Sequence, residues 1–155
     1  MSRQYQDDLK LALAAAVQAD EISLKRFQAI DLKVETKPDL TPVSDADKKV
    51  EEELRKLILQ YSPTDSIIGE EFGVDGNSNR EWILDPIDGT KHYVHHLPMF
   101  YTQVALLEEN TPILGVVLDP ISNQLFSSSR KNGCFLNGNR LHADTNDELS
   151  NSIID

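Results

Sequence analysis

Trp82-Ile83-Leu84-Asp85-Pro86-Ile87-Asp88-Gly89-Thr90 lies where the chain passes from helical to strand periodicity. Its three leading apolar residues read as a short buried strand. That strand delivers two carboxylates, Asp85 and Asp88, into a tight Pro/Gly turn. Two hard oxygen donors on one rigid turn suit Mg²⁺, which takes oxygen ligands in tight geometry and keeps positions open for water or phosphate. Gly89 has no Cβ, so the backbone there can come close to an anion. Thr90 adds a hydroxyl. The stretch is a candidate metal-and-phosphate site.

Working back toward the N-terminus, the pattern is helical. Leu9, Leu13, Val17, Leu24 and Phe27 recur at helical spacing in an Ala-rich segment, which predicts a long amphipathic helix over residues 4–29. Residues 32–37 alternate and read as a strand or extended arm, and 38–42 have the Pro and Asp of a loop. Ser44 followed by Asp47 resembles a capping box. It opens a second helix, residues 45–61, that buries Val50, Leu54, Leu57, Ile58 and Tyr61 and ends at Ser62-Pro63.

Beyond the second helix the period falls to two. Residues 66–68 and 82–84 are short buried strands, and 101–107, 113–118 and 124–128 form a run of strands divided by turn residues. Asn132-Gly133 and Asn137-Gly138, both strong hairpin signals, flank a further strand over 134–136. Residues 151–155 read as the start of another strand. Helices first and a meander afterwards imply an α+β two-layer sandwich, two long helices on one face of a mostly antiparallel sheet. Residues 1–155 form a single domain.

Bulk composition agrees and narrows the function. A chain of 155 residues, 39% hydrophobic and 26% charged, can bury one ordinary core. It has no apolar run long enough to span a bilayer, and its first residues are polar rather than those of a signal peptide. The single cysteine, Cys134, excludes an intrachain disulfide framework and favours a reducing cytoplasm. Nothing near it in sequence would lower its pKa, so it reads as a small core or hairpin residue. A net charge of −11 argues against nucleic acid or an anionic membrane as a partner. Such a chain also repels phosphate unless divalent cations neutralise the site, which two Mg²⁺ ions would do.

Other acids can reach the same rim. Glu70 follows the 66–68 strand between Gly69 and Gly73, and Asp45 and Asp47 lie at the start of the second helix. Alone, Glu70 could belong to a solvated turn, and Asp45 and Asp47 could serve the helix dipole. Asp47 and Glu70 together with Asp85 and Asp88 form a constellation that can converge on one rim. Lys37, just before the 38–42 loop, is a candidate phosphate ligand or structural cation. His92, His95 and His96 have a spacing that mimics a zinc site. They read better as residues lining or capping a short helix beside the oxygen-ligand site.

Three stretches, taken in order, resemble a known family. They are Lys37-Pro38-Asp39-Leu40-Thr41-Pro42-Val43-Ser44-Asp45-Ala46-Asp47, Ile68-Gly69-Glu70-Glu71-Phe72-Gly73, and Trp82 through Lys91. They are similar to the successive motifs of the inositol-monophosphatase superfamily of Mg²⁺-dependent, Li⁺-sensitive phosphomonoesterases. The Thr-Pro-Val-Ser-Asp-Ala-Asp form, Glu-Glu-Phe-Gly and Lys91 most resemble its histidinol-phosphatases of histidine biosynthesis. Inositol-1-phosphatase and bisphosphate nucleotidase are the alternatives within the class.

The resemblance implies that Glu70, Asp85 and Asp88, with the Ile87 carbonyl, bind two or more Mg²⁺ ions, for which Mn²⁺ would substitute. Gly89 and Thr90 would meet the phosphate through backbone N–H groups. Asp47 and the Thr90 hydroxyl, with Glu70, would orient and deprotonate the attacking water, without a covalent phosphoenzyme. The substrate would be a small phosphomonoester.

Members of that family are longer, with a second α/β layer and a further aspartate ligand in a late Trp-Asp motif. Trp82 is the only tryptophan here, so the chain reads as the family's N-terminal half without its C-terminal half. A homodimer or a separate C-terminal chain is the expected partner. A non-catalytic metal- or partner-binding domain is the competing class of function.

Overall fold

The computed structural model describes residues 3–143, with side chains from residue 5. Helix α1, Arg3–Arg26, carries Lys25 and Arg26 in its last turn, where cations complement the helix dipole. It gives way at Gln28, which takes a positive φ of 62°. Strands β1 (Val34–Thr36) and β2 (Pro42–Ser44) pair antiparallel into a separate ribbon. Its tip is closed by Lys37 N–H donating to the Thr41 carbonyl at 2.8 Å.

Helix α2, Asp45–Tyr61, opens on the expected capping box. Asp47 N–H donates to Ser44 Oγ at 3.3 Å, and Ser44 N–H donates back to Asp47 Oδ2 at 2.8 Å. Val50, Leu54 and Ile58 are buried as the period requires, and Leu57 is half-buried against the same core. Tyr61 is not part of it. At 67% exposed, it stands on the last turn, where the helix has passed the edge of the sheet's apolar face.

The sheet contains β3 (Ser66–Gly69), β4 (Gly73–Asp75), β5 (Arg80–Asp88), β6 (Tyr101–Glu108), β7 (Thr111–Asp119), β8 (Gln124–Ser129), β9 (Gly133–Leu136) and β10 (Asn139–Arg140). Their order is β10-β9-β8-β7-β6-β5-β3-β4. All neighbours run antiparallel except β3 and β5. The α+β sandwich is therefore as the sequence implies. Residues 151–155, read as the start of a further strand, lie outside the described residues.

Both long helices cover one face of the sheet. Ala12, Ala15, Ala16 and Ala19 of α1 and Val50, Leu54 and Ile58 of α2 bury Trp82, Leu84, Val104, Leu106, Val116 and Leu118. The alanine stripe has no bulk to hold α1 off, so the two layers can approach closely. A second cluster, Ala46, Ile87, Tyr93 and Phe100 with Phe27 packed against it, sits beneath the short helix α3 (Thr90–Val94). Tyr93 OH donates to the Ser23 carbonyl of α1 at 2.7 Å. That bond satisfies the buried hydroxyl and ties α3 to the frame. Among the described residues, no helix is long and apolar enough to cross a membrane.

Candidate functional site

The motif does not turn where its proline suggested. Strand β5 runs on through Asp88, and its register against β6 shifts between Asp85 and Asp88. Pro86 sits in that irregularity, where its missing N–H removes no ladder bond. Its carbonyl accepts from the Thr102 hydroxyl at 2.9 Å. The bulge re-aims the strand end, a common use of bulges next to sites. Gly89 follows with φ 90°, and a Cβ there would stand 2.7 Å from the Met99 carbonyl oxygen. Only glycine fits. The chain then enters α3 at Thr90, whose first N–H groups have no partner within the helix.

One open cavity of about 420 Å³ collects these parts. Glu70, Asp85, Ile87, Asp88, Gly89 and Thr90 all line it, together with Asp39 and Thr41 from the β1–β2 tip and Lys91 and His92 from α3. Asp47 lies fully buried behind this wall. It reaches the cavity through Thr90, whose Oγ1 stands 2.9 Å from Asp47 Oδ1 and 3.0 Å from the Ile87 carbonyl. Burial pushes the Asp47 carboxyl up, against hydrogen bonds from Ser44 and Thr90 that pull it down. A helix-start acid serving only the dipole would face water. Asp47 instead spends both oxygens on named donors, Ser44 and Thr90.

Asp85 is the least satisfied group here. Its Oδ1 is buried with no hydrogen-bond partner. Burial first, then the charge of Glu70 and a hydrogen bond shared with its carboxyl, and after these the charges of Asp88 and Asp47, raise its carboxyl to about 8. A buried acceptor left without a donor costs about 1–3 kcal/mol. Together with the all-oxygen donor set, that fits a hard divalent cation.

The other acids have found donors. Glu70 Oε1 accepts from Lys37 Nζ at 2.9 Å, and Asp88 Oδ2 accepts from the Gln103 amide at 2.6 Å. Lys37 also bonds Glu71 Oε1 at 2.8 Å. Burial opposes the charge on Lys37, but the Glu71 and Glu70 carboxylates outweigh it and hold the ammonium above the usual lysine range.

Among the described residues, no three His, Cys, Asp or Glu side chains are gathered at one point as a closed metal cluster. The expectation that Glu70, Asp85 and Asp88 would converge is met only as a shared cavity wall. Like charges without a cation repel; Glu70 and Asp88 turn toward Lys37 and Gln103, while Asp85 is left against the Glu70 carboxyl.

The three histidines diverge. His92 lines the cavity, His95 caps α3 with Nδ1 2.7 Å from the Lys91 carbonyl, and His96 packs edge-on against Phe27. Cys134 is exposed on β9. Sequence reasoning missed two supporting residues. Gln103 is set opposite Asp85 only by the β5–β6 register. Glu51 is fully buried on α2, and the signal for it was an acid four residues after Asp47 on the apolar stripe.

Comparison with known proteins gives a consistent result. The model of the inositol monophosphatase family matches residues 4–154. A histidinol-phosphatase of Mycobacterium tuberculosis is 46% identical, over 88% of this chain and 54% of its own length. That of Streptomyces coelicolor is 43% identical, over 96% and 59%. The chain thus spans little more than half the length of these relatives. Among solved structures, the suhB protein of Bartonella henselae superposes with a TM-score of 0.86 at 27% identity, over 90% of this chain and 55% of that one. The Thermotoga maritima IMPase gives 0.84 at 30% identity with the same shares, 90% and 55%. An IMPase/NADP phosphatase complexed with Mg²⁺ and phosphate gives 0.77 at 26%, over 89% and 53%.

Proposed function

The chain belongs to the inositol monophosphatase family, and from that premise we propose that it supplies the catalytic rim of a Mg²⁺-dependent phosphomonoesterase acting on histidinol phosphate. Glu70, Asp85 and Asp88 and the Ile87 carbonyl hold the cations. When bound, divalent cations offset the phosphate charge and acidify the water that attacks it. The N–H groups of Gly89 and Thr90, at the glycine-only turn into α3, receive the phosphate oxygens.

Asp47 and Thr90 handle the proton. The Thr90 hydroxyl lies on the cavity wall 2.9 Å from Asp47 Oδ1, where it can accept a proton from water as its own passes to Asp47. Burial has already raised the proton affinity of Asp47, which suits a group that must take a proton near neutral pH. Glu70, fixed by Lys37, bounds the other side of the same water. This link between two residues 43 positions apart, beside the unsatisfied oxygen of Asp85, is the observation that carries the reading.

Substrate choice rests on the relatives: the two most similar in sequence named above are both histidinol-phosphatases. The 155 residues correspond to the N-terminal half of that enzyme, and the rest of the relatives' length completes the pocket for the organic group. The test is phosphate release from histidinol phosphate, inositol 1-phosphate and a nucleoside 3′,5′-bisphosphate, with Mg²⁺ and with EDTA. The chain is assayed alone and with a polypeptide matching the relatives' remaining length. Mg²⁺-dependent turnover with histidinol phosphate preferred is the expected result. Absence of turnover in every combination would leave a metal- or partner-binding domain.

A further inference from the structure

We propose that Glu51 is a positioning residue that sets the metal affinity of this site by fixing the loop that carries Glu70. The inference rests on the phosphatase reading above. Glu51 is fully buried, one helical turn after Asp47 on α2. Its carboxylate is spent on the backbone of the 70–72 loop. Oε2 accepts from Glu71 N–H at 2.6 Å and Oε1 from Phe72 N–H at 3.1 Å. Arg55, a further turn along, donates Nε–H to Glu51 Oε1 at 2.8 Å and extends to the Gly73 carbonyl. The loop between β3 and β4 is therefore held at its middle and its far end by two side chains of one helix.

Gly69 makes this possible. A Cβ at that position would lie 2.0 Å from Glu51 Oε1 and 2.8 Å from an Arg55 nitrogen, both side-chain atoms. The glycine is needed here for space, so that the carboxylate can pass over the strand end. Because α2 also carries Asp47, one rigid element fixes both the proton acceptor and the strand-end acid. Neither oxygen of Glu51 faces the cavity. Its effect is geometric, and the side chain of Glu70 feels it through the adjacent peptide.

Two substitutions test this by different routes. Glu51→Gln replaces one accepting oxygen with an N–H group that faces a backbone donor. Gly69→Ala leaves Glu51 in the sequence and displaces only side-chain ends. Mg²⁺ affinity by titration calorimetry should fall about 10–100-fold in either variant, the usual range for partners behind a metal ligand. The Mg²⁺ concentration giving half-maximal phosphatase rate should rise in parallel, while the rate at saturating Mg²⁺ stays within a few-fold of wild type. A lower melting temperature with unchanged Mg²⁺ affinity would make Glu51 purely structural and overturn the inference. Should Glu51→Gln not fold, Gly69→Ala decides alone, since it keeps every donor and acceptor of the clamp and only pushes the Glu51 carboxylate off the loop. Wild-type protein that binds no Mg²⁺ would sink the phosphatase reading itself. Normal wild-type binding with unaltered variants would sink only the role of Glu51.

Discussion

Strand β5 carries an acid cluster at each end, and the two clusters are built differently. At its start, Arg80 is a hub for three carboxylates: Asp8 of α1 at 3.0 Å, and Asp65 and Glu108 at 3.3 Å. The Trp82 indole donates to Asp65 and the Tyr5 hydroxyl to Glu108. At the far end, eight residues on, Asp85, Asp88 and Glu70 line a cavity with Asp47 buried behind its wall. The cation there, Lys37, is drawn aside to Glu70 and Glu71. Each cluster keeps one buried oxygen without a partner, Asp8 Oδ2 at the start and Asp85 Oδ1 at the far end, but only the first holds its counter-ion, Arg80, among the acids. A fold needing only cohesion would treat both ends alike. The second end is organised to receive charge from outside.

The sharpest way to break that contrast is to disable the receiving end without emptying it. In the complete enzyme, Thr90→Ala should lower kcat by roughly 10²–10⁴, the range for general acid–base assistance. Asp47→Asn should do the same. The double variant should lose little more than either, because groups acting as one unit are not additive. Mg²⁺ binding by calorimetry should be nearly unaffected. Near-normal kcat in either single variant would take the pair out of the mechanism.

At the other end the measurable quantity is stability. Arg80→Met leaves the buried acids Asp8 and Asp65 facing each other, and removal of one partner from a buried ion pair costs about 3–5 kcal/mol. Urea denaturation should show that loss, with no change in Mg²⁺ affinity. A cost of only a few tenths of a kilocalorie would mean that water reaches the hub and that the two ends differ less than their contacts suggest.

Added cation should act at one end only. If Mg²⁺ binds the folded state alone, a concentration 100 times its Kd stabilises the protein by about 2.7 kcal/mol. Thermal melts with and without Mg²⁺ should show this in wild type and lose most of it in Asp88→Asn. An equal gain in Asp88→Asn would place the cation elsewhere, for instance among surface acids.

Much of this arrangement was legible in the sequence. Helical spacing located α1 and α2, and the Ser44–Asp47 pair correctly gave the capping box. The same residue, Asp47, then proved to serve the site as well. What stayed hidden depends on tertiary register. Strands β4 and β10 are short and mostly exposed, so no alternation marks them. Pro86 reads as a breaker, and only the bulge against β6 explains why β5 continues past it. Tyr61 matches the helical period but lies beyond the sheet it would pack on. Gln103, Glu51 and the Arg80 hub become visible only once strands and helices are placed side by side.

The smallest effect expected is a pH slope that belongs to the cavity end. Asp85 in the folded protein is raised to about 8, whereas in the unfolded chain it titrates near the ordinary value of about 3.9. Between those values the folded state holds a proton that the unfolded state has lost. Stability then falls as pH rises. The contribution is fully present below about 4 and gone above about 8. At the Arg80 end Glu108 behaves oppositely. The Tyr5 hydroxyl, then Arg80, hold it below the usual range, so its contribution is lost only as pH falls. In EDTA, Asp85→Asn should therefore flatten the stability profile between about pH 4 and 8 and leave the acid limb unchanged. The change is modest because the open cavity admits water, which screens the cluster. With Mg²⁺ present the wild-type slope should reverse, since the cation binds the ionised form and competes with protons. An Asp85→Asn profile parallel to wild type in EDTA would show that Asp85 is already ionised in the apo protein. The negative charge of the cavity end would then be shared across the whole rim.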